Sequence, residues 1–368
     1  MAATAKSFVA TFRIIRTVGL VAFVAIQGGC SRSEPDVQAE VPPGSILLTG
    51  AGATFPSVLY NRWFAAYREG HPKVIIKYVA VGSGEGVRRF IGKNIAEEEK
   101  IDFGASDAAM SDAEIAAAGN NALMVPLTAG CVALAYNLPG FQGDLKLSRR
   151  AYAAIFLGDI KQWNDPLVAQ SNPGVKLPNL TIANVVRQDS SGTTFAFTKN
   201  LDAISDKWRG QFGPGTLIDW PGNVMRAKGN EGVAGLIGNS EGAIGYVGYE
   251  FARKLGLKTV ALENKQGKFV KPSDESCGAA LAAADMPENL RGFVPDPKGA
   301  DSYPIVTFSW VLLRKNYRNA ETANALHELF VWCLRDGQRY STELGYVPVP
   351  ASVAEKAAAA LKSIKAEG

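Results

Sequence analysis

Four short stretches gather glycine with serine, threonine or asparagine: Gly50-Ala51-Gly52-Ala53-Thr54-Phe55, Gly82-Ser83-Gly84-Glu85-Gly86, Ser190-Ser191-Gly192-Thr193-Thr194 and Gly229-Asn230-Glu231-Gly232. The first three follow β-like runs and precede helical patterns; the fourth has no clear strand before it. A helix N-terminus leaves backbone N–H groups unpaired and carries partial positive charge. Glycine lets the backbone approach a ligand, and hydroxyls add donors. One such turn is an ordinary capped helix. Several, on separate strand–helix units, make the donor shell that a buried anion requires. A dinucleotide fingerprint fits worse, because Phe55 occupies the slot of the third glycine and the Gly82 cluster is too compressed.

Three charged residues narrow the anion. Arg187 precedes the Ser191 turn and can give two parallel hydrogen bonds to an oxyanion, and Asp189 is placed to pair with it and fix its side chain. Asp107 follows a strand, where a crevice at strand C-termini would face a ligand. A carboxylate beside an anion repels it unless the anion brings a proton to donate. Phosphate near neutral pH does, whereas sulfate does not, so one aspartate can favour phosphate and reject sulfate.

The elements that would position these residues alternate. Strands are expected at 46–49, 74–81, 101–105, 131–137, 181–186, 242–247 and 305–313. Helices are expected at 56–69, with Leu59, Trp63 and Tyr67 on one face, and at 87–94, 148–156, 193–201 and 320–334. Ser111 with Glu114, and Ser352 with Glu355, read as capping boxes. Such alternation implies an α/β fold with mixed sheets flanked by helices, and 368 residues are more than one core usually serves.

At these turns the sequence closely resembles the periplasmic phosphate-binding proteins of ABC-type phosphate importers, the Pst-type solute-binding family. The resemblance rests on Thr49-Gly-Ala-Gly-Ala-Thr-Phe-Pro56, Asp102-Phe-Gly-Ala-Ser-Asp107, Ile155-Phe-Leu-Gly-Asp-Ile-Lys-Gln-Trp163, Val186-Arg-Gln-Asp-Ser-Ser-Gly-Thr193 and Gly242-Ala-Ile-Gly-Tyr-Val247. It implies a two-lobed periplasmic-binding-protein fold with a ligand cleft between hinged lobes. Phosphate contacts would fall on Thr54, Phe55 (through its backbone), Ser83, Asp107, Arg187, Ser191, Gly192 and Thr193, with Asp189 supporting. Residues 45–134 and 304–368 would form lobe 1, and 135–303 lobe 2. The implied partners are inorganic phosphate and the permease subunits of an importer, with no cofactor. A surface phosphate sensor, a receptor for another tetrahedral oxyanion and a secreted phosphatase are the alternatives.

Two departures from the family pattern stand out. Glu85 places a carboxylate in a turn where a small residue is usual, and is expected to point outward. Residues 94–100 carry an acidic insertion, Glu97-Glu98-Glu99, expected to be a solvated loop.

The N-terminus reads as an export signal over residues 1–30, followed by a polar, proline-bearing tether over 31–44. Its apolar run, 18–26, is too short to cross a bilayer core about 30 Å thick. Gly28-Gly29-Cys30 resembles a lipobox with Cys30 as the lipidated residue, although Gln27 stands where a leucine-like residue is usual; an ordinary cleavage site is the alternative. The location implied is periplasmic or extracytoplasmic, with membrane contact only through that anchor. Without Lys6, Arg13 and Arg16 the formal charge falls from +4 to +1, and no basic run points to nucleic acid. Beyond Cys30 the cysteines are Cys131, Cys277 and Cys333. They allow at most one disulfide and form no metal-ligand spacing; Cys131, in an apolar run, reads as packed core.

An enzyme reading has one motif in its favour. Gly238-Asn239-Ser240-Glu241-Gly242 matches G-x-S-x-G, with Asp301 and His327 following. That serine needs a strand before it and a helix after it, whereas 233–237 reads as helical and 243–247 as extended. No catalytic residue and no metal site is therefore assigned.

Overall fold

The computed structural model describes residues 42–282 and 284–367. The export signal, Gln27, Cys30 and all of the tether up to residue 41 lie outside them.

Nine strands form one mixed sheet: β1 (Ile46–Gly52), β2 (Val74–Ala80), β3 (Phe103–Ser106), β4 (Ala122–Tyr136), β5 (Ala183–Arg187), β6 (Met225–Ala227), β7 (Ala243–Gly248), β8 (Lys258–Thr259) and β9 (Val306–Arg314). The order is β2-β1-β3-β9-β4-β7-β5-β6, with β8 also paired to β4. β1, β2 and β3 run parallel, as do β7, β5 and β6. β4 joins the two sets. From Ala122 to Cys131 it pairs antiparallel with β9, and from Val132 to Tyr136 with β7.

β4 is longer than its apolar run at 131–137 suggested. Pro126 obscures its first half, because proline has no N–H for a ladder and usually marks an edge or a bulge. Here it sits at an irregularity: Ser309 pairs with Thr128 and Trp310 with Pro126, so Leu127 is left over. The Leu127 carbonyl is satisfied instead by the Gln338 side chain at 3.0 Å.

The helix Ser57–Gly70 follows Pro56 and buries Leu59, Trp63 and Tyr67, as their spacing predicts. Tyr60, Trp63, Phe64, Tyr78 and Phe103 form an aromatic cluster between that helix and the sheet. Ser111 and Glu114 make the expected capping box, both bonds being present. Ser352 and Glu355 do not. That helix starts one residue earlier, at Ala351 after Pro350, so Ser352 is already inside it.

Cys131 is not a free core thiol. It is bonded to Cys277, tying β4 to the helix Asp274–Ala282, and among the described residues Cys333 is the free cysteine, buried. Nor is the acidic insertion merely a solvated loop. Residues Glu97–Glu99 form a 3-10 turn, and Glu99 is held by Arg88 at 2.8 Å and by Arg89 at 3.5 Å. No helix among the described residues is long and apolar enough to cross a membrane.

Candidate functional site

Each glycine-rich turn sits where a strand hands over to a helix. Gly52 ends β1 at φ 147°, and a Cβ there would lie 2.1 Å from the carbonyl of Ala105, so only glycine allows β1 to turn against β3. The turn delivers Thr54 and Phe55 to the head of the helix Ser57–Gly70. The Phe55 carbonyl accepts from the Tyr346 hydroxyl at 2.6 Å, while its N–H meets no protein acceptor among the described residues.

In the second turn Gly82 precedes the helix Ser83–Ile91. That helix begins at Ser83, before the apolar spacing that predicted it from 87. The Ser83 oxygen accepts from the N–H of Asp107 at 3.2 Å and from the N–H of Gly192 at 3.0 Å.

Asp107 directly follows β3 and is almost wholly enclosed, at 1% exposure. Its Oδ1 accepts from the Ser309 hydroxyl at 2.7 Å, and its carbonyl from Thr307 at 3.3 Å. Burial pushes its pKa up to about 7; the Ser309 hydrogen bond and the Arg187 charge pull the other way. The carboxyl therefore changes charge near neutral pH.

Arg187 closes β5, its backbone N–H donating to the Tyr246 hydroxyl at 3.1 Å. As anticipated, Asp189 pairs with it: Nε donates to Oδ1 at 2.8 Å and Nη2 to Oδ2. Burial pushes the Asp189 carboxyl up, but Arg187 and the Gly229 N–H outweigh it, so its pKa lies below the usual range. Ser191 caps the helix Gly192–Ile204 through the Thr194 N–H at 3.1 Å. Arg187 Nη1 reaches the Thr193 hydroxyl at 3.5 Å.

The fourth turn is better built than its sequence indicated. A three-residue strand, β6, does precede it, and the helix Gly229–Asn239 starts at its glycine. Asn230 is fully buried. Its backbone N–H and Nδ2 donate to Thr54 Oγ1 at 3.1 and 2.9 Å, Nδ2 also to Thr193 Oγ1 at 3.2 Å, and its Oδ1 accepts from the Gly248 N–H at 2.9 Å.

These bonds draw the predicted residues together. Thr54 and Thr193 meet through Asn230, Ser83 touches both Asp107 and Gly192, and Arg187 touches Thr193. Phe55 and Ser191 adjoin them in the same turns. The second and third turns are also joined directly, the Gly84 N–H donating to the Ser190 carbonyl at 3.1 Å. At Gly192 the approach is so close that a Cβ would fall 2.6 Å from both Ser83 Oγ and Asp107 Cβ. An open groove of about 920 Å³ adjoins the cluster, its wall including Thr54, Glu85, Arg88, Asp189, Lys228 and Glu231.

Sequence reasoning missed Asn230, Ser309 and Thr307. The fourth turn was in view, but a strand as short as β6 leaves no periodic signature. Thr307 and Ser309, two apart in an otherwise apolar strand, were the only signal for the other pair. Glu85 is engaged on its own helix: its carboxylate takes Arg88 and Arg89, both at 2.7 Å, and Arg88 first, then Arg89, hold its pKa down at about 2 against burial. Ser240 lies at the end of the helix Gly229–Asn239 with β7 after it, the reverse of the order a nucleophilic serine needs.

The model of the PBP superfamily domain matches residues 32–332. The phosphate-binding protein PstS of Pasteurella multocida (strain Pm70) is 39% identical over 320 residues, covering 86% of this chain and 90% of its own. That of Methanocaldococcus jannaschii is 35% identical over 372 residues, covering 94% and 93%. Among solved structures, a high affinity periplasmic phosphate-binding protein (PfluDING) bound with phosphate superposes with a TM-score of 0.72 at 21% identity, covering 85% of this chain and 93% of that one. The phosphate-binding protein from Stenotrophomonas maltophilia gives 0.69 at 19% identity, covering 86% and 94%. At such identities the structures speak to the fold, which is that of the two-lobed binding proteins. Matched along most of its length by proteins of one kind, the chain belongs to the PBP superfamily and, within it, to the PstS phosphate-binding protein family.

Proposed function

We propose that this protein captures inorganic phosphate in the cleft and delivers it, outside the cytoplasm, to the permease subunits of an ABC-type importer. It binds its ligand and does not transform it. The observation that carries the reading is Asp107, a buried carboxyl set among groups that otherwise only donate. Thr54, Ser83, Ser191, Thr193 and Arg187 supply side-chain donors, and the N–H groups of Phe55 and Thr193 supply backbone ones; Gly192, whose N–H goes to Ser83 Oγ, lets the backbone come close to the anion. Asp107 is the one acceptor, and it takes the proton that phosphate carries and sulfate lacks. Asp189 holds the Nε edge of the Arg187 fork, leaving Nη1 to face the anion.

Lobe 1 is assigned to 45–134 and 304–368, and lobe 2 to 135–303. The hand-over of β4 from β9 to β7 between Cys131 and Val132 supports a crossing close to that boundary. Closure would then bring Thr54, Ser83 and Asp107 against the 187–193 jaw. Residues 1–30 are read as an export signal and Cys30 as the lipidated residue. A disulfide between Cys131 and Cys277 fits an oxidising compartment, where export would deliver the chain.

Calorimetric titration with phosphate, arsenate and sulfate tests the reading. Phosphate and arsenate, alike in carrying a proton, should bind at least a hundredfold more tightly than sulfate at pH 8. Equal affinity for phosphate and sulfate would sink it.

A further inference from the structure

A hydroxyl can donate or accept, and free rotation lets it switch. In this site that choice is removed. Thr54 Oγ1 accepts two hydrogen bonds from Asn230, one from its backbone N–H and one from Nδ2. Thr193 Oγ1 accepts from Asn230 Nδ2 and from Arg187 Nη1. Each oxygen has both lone pairs occupied by N–H groups, so each keeps only its proton for a ligand. The orientation of the amide is not arbitrary. Its Oδ1 must face the Gly248 N–H, which can only donate, and that turns Nδ2 toward both threonines.

We infer that Asn230 is a positioning residue that sets the polarity of Thr54 and Thr193, fixing them as donors before an anion arrives. The inference rests on the proposed capture of a tetrahedral anion between the 54 and 193 turns. It adds a residue whose side-chain donors are spent on two protein hydroxyls yet which decides what the cleft accepts. One side chain addresses hydroxyls on opposite sides of the cleft, so setting polarity and holding the two turns in register are the same act. Preset donors need no reorientation on binding, which is where such groups gain over water.

A double-mutant cycle tests it. Phosphate affinity is measured for the unsubstituted protein, Asn230→Ala, Thr54→Val and the double variant, after thermal melts show that each is folded. Asn230→Ala should weaken phosphate about tenfold in the unsubstituted background and less than threefold once Thr54 has lost its hydroxyl. A merely structural asparagine would cost the same tenfold in both backgrounds, and that result overturns the inference. Asn230→Asp supplies a second test should the alanine variant not fold. Its carboxylate offers acceptors to both hydroxyls and should weaken phosphate by more than a hundredfold; retention of affinity within threefold would likewise overturn it. Failure of the unsubstituted protein to bind phosphate would remove the functional reading and this inference together, whereas an additive cycle removes only the inference.

Discussion

Asp107 ties selectivity to pH. With its pKa at about 7, the carboxyl is charged above neutrality and protonated below it. A sulfate complex needs the protonated form, which can donate a hydrogen bond instead of repelling the anion. Sulfate affinity should therefore rise by up to tenfold per unit as pH falls from 9 to 7 and level off below, as calorimetry across that range would record. Asp107→Asn makes the neutral state permanent and should flatten the profile. The same substitution should alter stability. A carboxyl whose pKa is raised on folding holds a proton that the unfolded chain releases above about pH 4. Its burial thus costs progressively more as pH climbs from about 4 to 7 and a constant amount beyond. The asparagine variant should melt higher than the parent at pH 8, with the gap shrinking as pH falls towards 4.

Among the elements, the first three strand–turn–helix units were legible because each carries a glycine-rich turn between a β-like run and a helical pattern. Arg187 and Asp189 were readable as a pair from spacing alone. Asn230 was hidden behind β6, and Ser309 behind the apolar character of β9; the contact of Ser309 with Asp107 spans 202 residues, beyond any local pattern. The acidic insertion shows how a local reading fails when its partner lies on another segment. Glu97-Glu98-Glu99 reads as solvated, yet Glu99 reaches the helix Ser83–Ile91 and completes a four-membered cluster with Glu85, Arg88 and Arg89. That cluster neutralises Glu85 beside the Ser83 turn. Its members are partly exposed, so Glu99→Ala should leave the denaturant midpoint nearly unchanged and phosphate affinity within twofold. A larger loss of affinity would mean that the insertion shapes the cleft.

For the whole molecule, the disulfide Cys131–Cys277 closes a loop of 146 residues near the point where β4 changes partners. Loop-closure entropy in the unfolded chain puts its contribution at about 2–5 kcal/mol. Cys131→Ser with Cys277→Ser should lower the melting temperature by several degrees while phosphate affinity changes less than threefold, since neither cysteine shares a hydrogen bond with the cleft residues.

The continuity of β4 also has a mechanical meaning. The chain passes between the two sets of parallel strands within β4, and the ladder with β9 ends there, Val306 lying opposite Cys131 and the next residue, Val132, opposite Gly248 of β7. A strand that changes partners without a break has no loop to lengthen at that point. Opening of the proposed cleft should therefore proceed by bending and twisting about residues 131–132 rather than by sliding, along one arc rather than a family of loose poses.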